Sequence, residues 1–446
     1  MSENLIAVLE QDVGQAACEQ AAYRLLDWLG CALVGAREEQ GLAVIRYAKT
    51  LPEGNVACIG GGKREASTSA FVNGALGNIL EMDDLHRMAI VHPGDTVIPA
   101  VLAVAQRELS TSGELLRAIV RGYEAAIRVG EAAGTEHYRY WYSTATCGVF
   151  GAAVAAGSLM SLDRDKLSDA VGLAGMQSSG LWQCRLEKGF AKQLASARAA
   201  QSGVLAADLA KCGFPAPRQI IDGRLGLLAA TSTNSRVEAL TKTGSECWKV
   251  GEVSEKPWPG CRHTHPVIEA ALRYRVKLSL DKISHVEVYT YKSAVDFCDD
   301  AMPDTPHRAR FSLQHAFAIA FIKGEPELSD YVGEVLADTT IDTLRSKVAV
   351  FESPDLSAEF PHRYGCRLIV YTEDGECMRE SILSAKGDPE NPVDASASRR
   401  KFRSLAAHAG LTDEFAHDLE QTILGLPSEH SCSSKLFDGL EALIDL

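Results

Sequence analysis

Residues 283–291, ISHVEVYTY, decide the fold. Val286, Val288 and Thr290 alternate with His285, Glu287 and Tyr289, the period of a strand with one buried face. Up to about residue 265 the periodicity is helical instead. Ala21, Leu25, Leu26 and Leu29 recur at helix spacing, as do Leu115, Ile119, Ala126 and Val129, and further helical faces run through 144–160, 165–177, 190–211 and 234–242. Stretches such as 150-FGAAVAAG-157 and 195-ASARAAQSGVLAADLA-210 are rich in Ala and Gly, so their helices are expected to approach closely.

Beyond the first strand, 366-CRLIVYT-372 and 377-CMRESILSA-385 flank Glu373-Asp374-Gly375-Glu376, whose Asp-Gly signals a hairpin. A further strand is expected at 345–352 and helices near 312–323 and 328–338. After 387-GDPENPVD-394, a linker by composition, helical periodicity returns. The expectation is a large all-helical domain, residues 1–265 completed by 396–446, with a smaller α+β domain at 266–395.

With 446 residues, 46% hydrophobic and 23% charged, the chain is too long for one simple core. Forty-five Lys and Arg against 59 Asp and Glu leave a net charge of -14, which excludes a basic surface for nucleic acid or anionic lipid. The twelve cysteines form no CxxC pair, and read as reduced thiols. MSENLIAVLEQD lacks the charged and apolar regions of a signal peptide, and no segment reaches the ~18 apolar residues of a membrane span. A cytoplasmic protein is expected.

Several motifs have a plain reading. The run 60-GGGK-63 lacks the spacing and the Ser or Thr of a phosphate loop, so a turn is expected; no GxGxxG supports a nucleotide cofactor. In 256-KPWPGCRHTHP-266, Cys261, His263 and His265 lack the fourth ligand of a structural zinc. Its three prolines stiffen an irregular segment that presents Lys256, Cys261, Arg262 and His265 in fixed directions, as a cleft or as a solvated linker. In 185-RLEKGFAKQLASARAAQSG-203, Lys188 and Lys192 share a helical face with Arg185; a solvated stripe is one reading, and burial of Lys192 as a base or anion holder is the other. The stretch 81-EMDDLHRMAIVHPGDTVIPA-100 puts Asp83 and Asp84 at the end of an apolar helix, 66–80, where carboxylates are unfavourable. A loop with His86, Arg87 and His92 follows, and Pro99 is expected to begin the next helix.

The order and spacing of NGALGNILEMDD, HPGDTVIPAVLAVAQ, GYEAAIRVG, GVFGAAVAAGSLMSLD, AVGLAGMQSSGL, KPWPGCRHTHPVIEA and ARFSLQHAFAIAFIKG resemble the MmgE/PrpD family over nearly the whole chain. That resemblance implies a homodimer needing no cofactor, with its active site in the cleft between a helical and an α+β domain. It also implies an acidic cluster at Asp83 and Asp84, a histidine at His92, and lysines at Lys192 and Lys256. Three departures stand out: Leu85 where family dehydratases and decarboxylases usually have threonine, Tyr142 where many have histidine, and His315 where tyrosine is common. They weigh against dehydration and decarboxylation more than against the fold, and the likeness looks closest to the family's iminodisuccinate epimerases.

The expected activity is therefore cofactor-independent epimerisation of a small amino-dicarboxylate, by proton removal and return next to a carboxylate. Lys192, Lys256, Arg87 and Arg310 are the candidate cations for substrate and enediolate, with Asp83, Cys261 and His315 also placed at the binding site. His92, Tyr142, Asp84, His265 and Lys192 are the candidate proton carriers; Tyr142 would serve as a base if lysines lowered its pKa. The alternatives are a lyase of the same family, of the 2-methylcitrate dehydratase or cis-aconitate decarboxylase type, and a non-catalytic carboxylate-binding protein.

Overall fold

The Ala- and Gly-rich stretches form the helices that pack most closely in the computed structural model, which describes residues 2–187, 191–242, 248–428 and 433–446. The chain divides into two units, Met1–Val253 with Asp394–Leu446, and Ser254–Val393. In the first unit the helix Ser143–Leu159 is buried at every position but Ser158. Helices Gly94–Glu108, Ser112–Tyr138 and Ala191–Lys211 pack around it. Small residues make this possible. A Cβ added at Gly151 would lie 2.5 Å from the Gly122 carbonyl oxygen, and one at Gly203 only 2.4 Å from Ala152 Cβ. Helix Ala395–His408 packs on Gln15–Gly35, returning the end of the chain to this unit.

Three expectations in this unit are corrected. The apolar helix expected over 66–80 ends at Gly74, and turns fill most of 75–93. Pro99 does not start the next helix but lies inside Gly94–Glu108, costing it one backbone hydrogen bond. The helix expected at 234–242 is reduced to a 3-10 turn, Val237–Leu240. The 60-GGGK-63 run joins strands Val56–Cys58 and Gly62–Arg64, with Gly60 and Gly62 at φ 69° and 77°.

The second unit holds a mixed four-stranded sheet in the order Val348–Glu352, Ile283–Thr290, Cys366–Thr372, Cys377–Ile382. The first pair is parallel, with Val286 opposite Val348, and the other two are antiparallel. Val286 and Val288 join Leu368 and Val370 in a core with Val267, Ile268 and Ala271 of helix His265–Arg275 and Phe317 of Leu313–Ile322. The period-two pattern thus marks the buried face. Gly375 turns the Asp-Gly hairpin at φ 89°. The helix expected at 328–338 is instead two 3-10 turns, Leu328–Tyr331 and Gly333–Ala337, parted where Gly333 takes φ 57°.

The close helix approach makes a prediction against propensity. An exposed helical Gly→Ala gains about 1 kcal/mol. Gly203→Ala should instead lower the denaturation midpoint, because its Cβ would also lie 2.7 Å from Ala152 backbone carbon, and overpacking costs about 1–3 kcal/mol. An unchanged or raised midpoint in a urea or thermal melt would contradict the packing.

Candidate active site

Loop 75–93 folds inward and carries its charges with it. Glu81 is only 2% exposed and adopts φ 54°, a left-handed backbone that costs a non-glycine residue about 1–3 kcal/mol. Its carboxylate accepts a 2.5 Å hydrogen bond from Lys192 Nζ at the start of helix Ala191–Lys211. Both side chains are nearly cut off from water. Truncating either would strand a buried charge, a loss of about 3–5 kcal/mol. Lys192 is thus buried rather than part of a solvated stripe, and the anion beside it is Glu81 of the same chain; Lys188 and Gly189 lie outside the described residues, as does the Arg185 side chain.

Asp83 makes the second pair. Its Oδ2 accepts from His92 Nδ1 at 2.8 Å, while Asn78 Nδ2 donates to Oδ1 at 2.6 Å. Because an ionised carboxylate only accepts, this contact puts the proton of His92 on Nδ1 and turns Nε2 away from Asp83. The backbone N–H of His92 donates to Thr144 Oγ1 at 3.0 Å, which fixes the ring's origin. From helix Ala395–His408, Lys401 Nζ donates to the Met82 carbonyl at 2.6 Å and to Asp27 at 2.5 Å, fastening the loop between the two pairs.

Asp84 behaves differently from the expectation of a misplaced charge at a helix C-terminus. The helix beside it is Gly94–Glu108, and Asp84 Oδ1 accepts from the Gly94 N–H at 3.2 Å, at the end where a carboxylate is favourable. Tyr123 donates to Oδ2 at 2.8 Å. Burial nevertheless pushes the Asp84 carboxyl up to about 7, against the pull of Arg24.

Tyr142 lies next to Lys192, whose ammonium sits 5.5 Å from the ring centroid, and packs on Trp182. Its hydroxyl makes no hydrogen bond among the described residues. Contrary to the expectation from sequence, the lysine does not bring the phenol's pKa down. Burial above all, with the negative charges of Glu81 and Asp83 nearby, holds it well above its usual value. Tyr142 therefore keeps its proton at neutral pH and is suited to giving one rather than taking one.

Further along the loop Arg87 is buried, and His86 turns Nε2 to within 3.7 Å of Glu131 and Glu252. Those three side chains bring possible ligand atoms within 4.8 Å of one another. Lys249 already supplies a cation there, 3.1 Å from Glu131 and 2.7 Å from Glu252. Burial works to raise the Glu252 carboxyl, but hydrogen bonds from His86 and Lys249 leave it lowered to about 2.

The remaining candidates lie in the second unit. Lys256, His265, Arg310 and His315 are buried and Cys261 is half-buried. The proline segment is anchored by Glu255 N–H to the Gly387 carbonyl at 2.9 Å and by Cys261 N–H to the Arg310 carbonyl at 2.8 Å. Arg262 pairs with Asp388 at 2.6 Å and donates to His265 Nδ1 at 3.1 Å, so that nitrogen is an acceptor. His315 donates from Nε2 to the Asp330 carbonyl at 2.9 Å. Burial lowers its pKa to about 4, which makes it neutral at pH 7, with Nδ1 making no hydrogen bond among the described residues.

Of the sequence candidates, then, the structure gathers Asp83, Asp84, His92, Tyr142 and Lys192 in one helical unit. Sequence reasoning missed Glu81 and Asp95, although both stand in the stretch that drew attention to the loop. No spacing rule marks a left-handed Glu, or a helix-start Asp that is buried with no hydrogen bond to its carboxyl among the described residues.

Residues 6–240 match the MmgE/PrpD N-terminal domain and residues 258–422 the MmgE/PrpD C-terminal domain. The chain belongs to the MmgE/PrpD family. Among its relatives is a cis-aconitate decarboxylase-like protein of Aspergillus oryzae, 28% identical over 95% of this chain and 93% of that protein. The cis-aconitate decarboxylase of Aspergillus terreus is 27% identical over 93% of this chain and 90% of its own. The 2-methylcitrate dehydratase of Salmonella typhimurium is 24% identical over 83% and 81%. These findings overturn the expectation of an isomerase. The relatives of this MmgE/PrpD chain are named as a decarboxylase and a dehydratase, which are lyases, and the departures at Leu85, Tyr142 and His315 do not outweigh likeness over nearly the whole length.

The Asp84 environment has a measurable consequence for stability. Its folded pKa of about 7 exceeds the ordinary 3.8, so between those values the folded state binds the extra proton and stability falls as pH rises. Asp84→Asn removes that titration while keeping an acceptor for Gly94, its Nδ2 donating to the Tyr123 hydroxyl in place of the bond that Tyr123 now donates. The variant should lose stability less than the parent across that window in denaturation melts. Parallel curves for the two proteins would contradict the assignment.

Proposed function

We propose that the protein is a lyase acting on a small polycarboxylate, of the cis-aconitate decarboxylase type, with the cluster of Glu81, Asp83, His92, Tyr142 and Lys192 as its reaction centre. The observation that carries the reading is the likeness to named decarboxylases over more than nine-tenths of the chain. The site chemistry supports it. Loss of CO2 leaves an electron pair on carbon beside other carboxylates, and the reaction needs a nearby cation and one proton to quench the carbanion. Lys192, held by Glu81, is the cation. Tyr142, kept as a phenol, gives the proton, and His92, oriented by Asp83, presents Nε2 to bind a substrate carboxylate or relay the proton.

The dehydratase relative favours a second reading, loss of water from a hydroxylated tricarboxylate, in which His92 Nε2 removes the proton beside a carboxylate and Tyr142 protonates the leaving hydroxyl. Both reactions use the same groups. They differ in product: one releases CO2 and the other an unsaturated acid and water.

Purified protein given cis-aconitate is expected to release CO2. Lys192→Met, His92→Ala and Tyr142→Phe should each lower the rate by ~10²–10⁴. Tyr142→Phe removes a hydroxyl with no hydrogen bond among the described residues, so it should melt like the parent. No CO2 from cis-aconitate, with dehydration of 2-methylcitrate instead, would move the assignment to the second reading; turnover of neither would overturn both.

A further inference from the structure

Asp95 lies in the first turn of helix Gly94–Glu108, is 0% exposed, and has no hydrogen bond to either carboxyl oxygen among the described residues. That is unusual for a carboxyl group. A helix N-terminus and a ring of donors would normally hold such a group as an anion. Around it stand Glu81 and Asp83 from the inward loop, Lys192 and Ser196 from helix Ala191–Lys211, and Tyr142 ahead of helix Ser143–Leu159. Lys192 is already bonded to Glu81 and His92 to Asp83. On the remaining side is Trp28 of helix Gln15–Gly35, whose indole N–H also makes no hydrogen bond among the described residues. The two face one another across Gly77, where an added Cβ would lie 2.2 Å from Trp28 Nε1 and 2.7 Å from Asp95 Oδ1.

An ionised carboxylate placed there would be a third negative charge beside Glu81 and Asp83, whose partners Lys192 and His92 are already engaged, and it makes no hydrogen bond among the described residues. The cost of burying such a charge is several kcal/mol, and a group in that position takes up a proton instead. We propose that Asp95 is a positioning residue held as a neutral carboxylic acid, and that its bound proton keeps a further negative charge out of the cluster of Glu81, Asp83, His92 and Lys192 so that it can receive a polycarboxylate. Burial, followed by the charge of Asp83, also drives the Asp95 carboxyl well above its ordinary range. The inference rests on the proposed polycarboxylate substrate for its function, though not for the protonation itself.

The sign of the effect follows. As pH rises and Asp95 loses its proton, the cluster gains one negative charge, repels an anionic substrate and should bind it more weakly. The wild-type KM for cis-aconitate is therefore expected to rise at alkaline pH, with kcat changing less. Asp95→Asn, a neutral isostere, is expected to remove that alkaline rise. An identical rise in parent and variant would overturn the proposal. A second measurement needs no substrate and no folded variant: in wild-type protein labelled with ¹³C at the aspartate carboxyls, one resonance should keep the protonated position above neutral pH, below the range in which KM rises, where the other aspartates are ionised. If every aspartate carboxyl is ionised there, Asp95 is not a neutral acid and the proposal fails. If the protonated carboxyl is present but neither cis-aconitate nor 2-methylcitrate binds at any pH, the protonation stands while the substrate reading and the role built on it fall.

Discussion

A lysine ammonium bonded to a glutamate carboxylate in the dry interior of a helical unit is the contact on which the rest of this site depends. Neither charge could be buried alone. Lys192 comes from a helix packed tightly through alanine and glycine, and Glu81 from a loop that must turn through a left-handed residue to reach it. Once that pair is in place, the neighbouring Asp83 has its own donor in His92, and Asp95 is left with no hydrogen bond to either carboxyl oxygen among the described residues. The electrostatics of the cluster thus follow from one geometric requirement, that loop 75–93 fold inward.

The helical scaffold serves that requirement. Glycines at helix crossings bring backbones within a distance that any side chain would prevent, which leaves a rigid wall for the loop to lie against. Helix Ala395–His408 fastens the loop as well, through Lys401. Asp84 ties it to the start of the next helix, where its carboxylate meets the positive end of the helix dipole. A loop with this much buried charge is stable because each carboxylate in it is paired, hydrogen-bonded or protonated.

Much of this was legible in the sequence, and the limits have physical causes. Alternation at Val286, Val288 and Thr290 revealed the sheet because a one-residue slip would turn its apolar side chains to water. The HP histidine, the paired aspartates and Lys192 could be placed by motif. Helix ends were harder: the apolar run to residue 80 continues past Gly74 because the loop itself is buried, so periodicity could not mark where the helix stops. For the same reason Asp84 was assigned to the wrong helix. Glu81 was passed over because a positive φ leaves no trace in composition. The activity was misjudged for a chemical reason: Leu85, Tyr142 and His315 were read as a change of proton carriers, yet a buried tyrosine that keeps its proton remains a competent acid, and the relatives are lyases.

The central claim is that the inward-folded loop and Lys192 form the surface a polycarboxylate meets. The most direct measurement is a crystal structure of the protein with a non-reacting tricarboxylate bound at neutral pH. The account predicts a ligand carboxylate within hydrogen-bonding distance of Lys192 Nζ and of His92 Nε2, with the Tyr142 hydroxyl turned to the same ligand. A tricarboxylate seated elsewhere, with the Glu81–Lys192 and Asp83–His92 pairs untouched by it, would contradict the account.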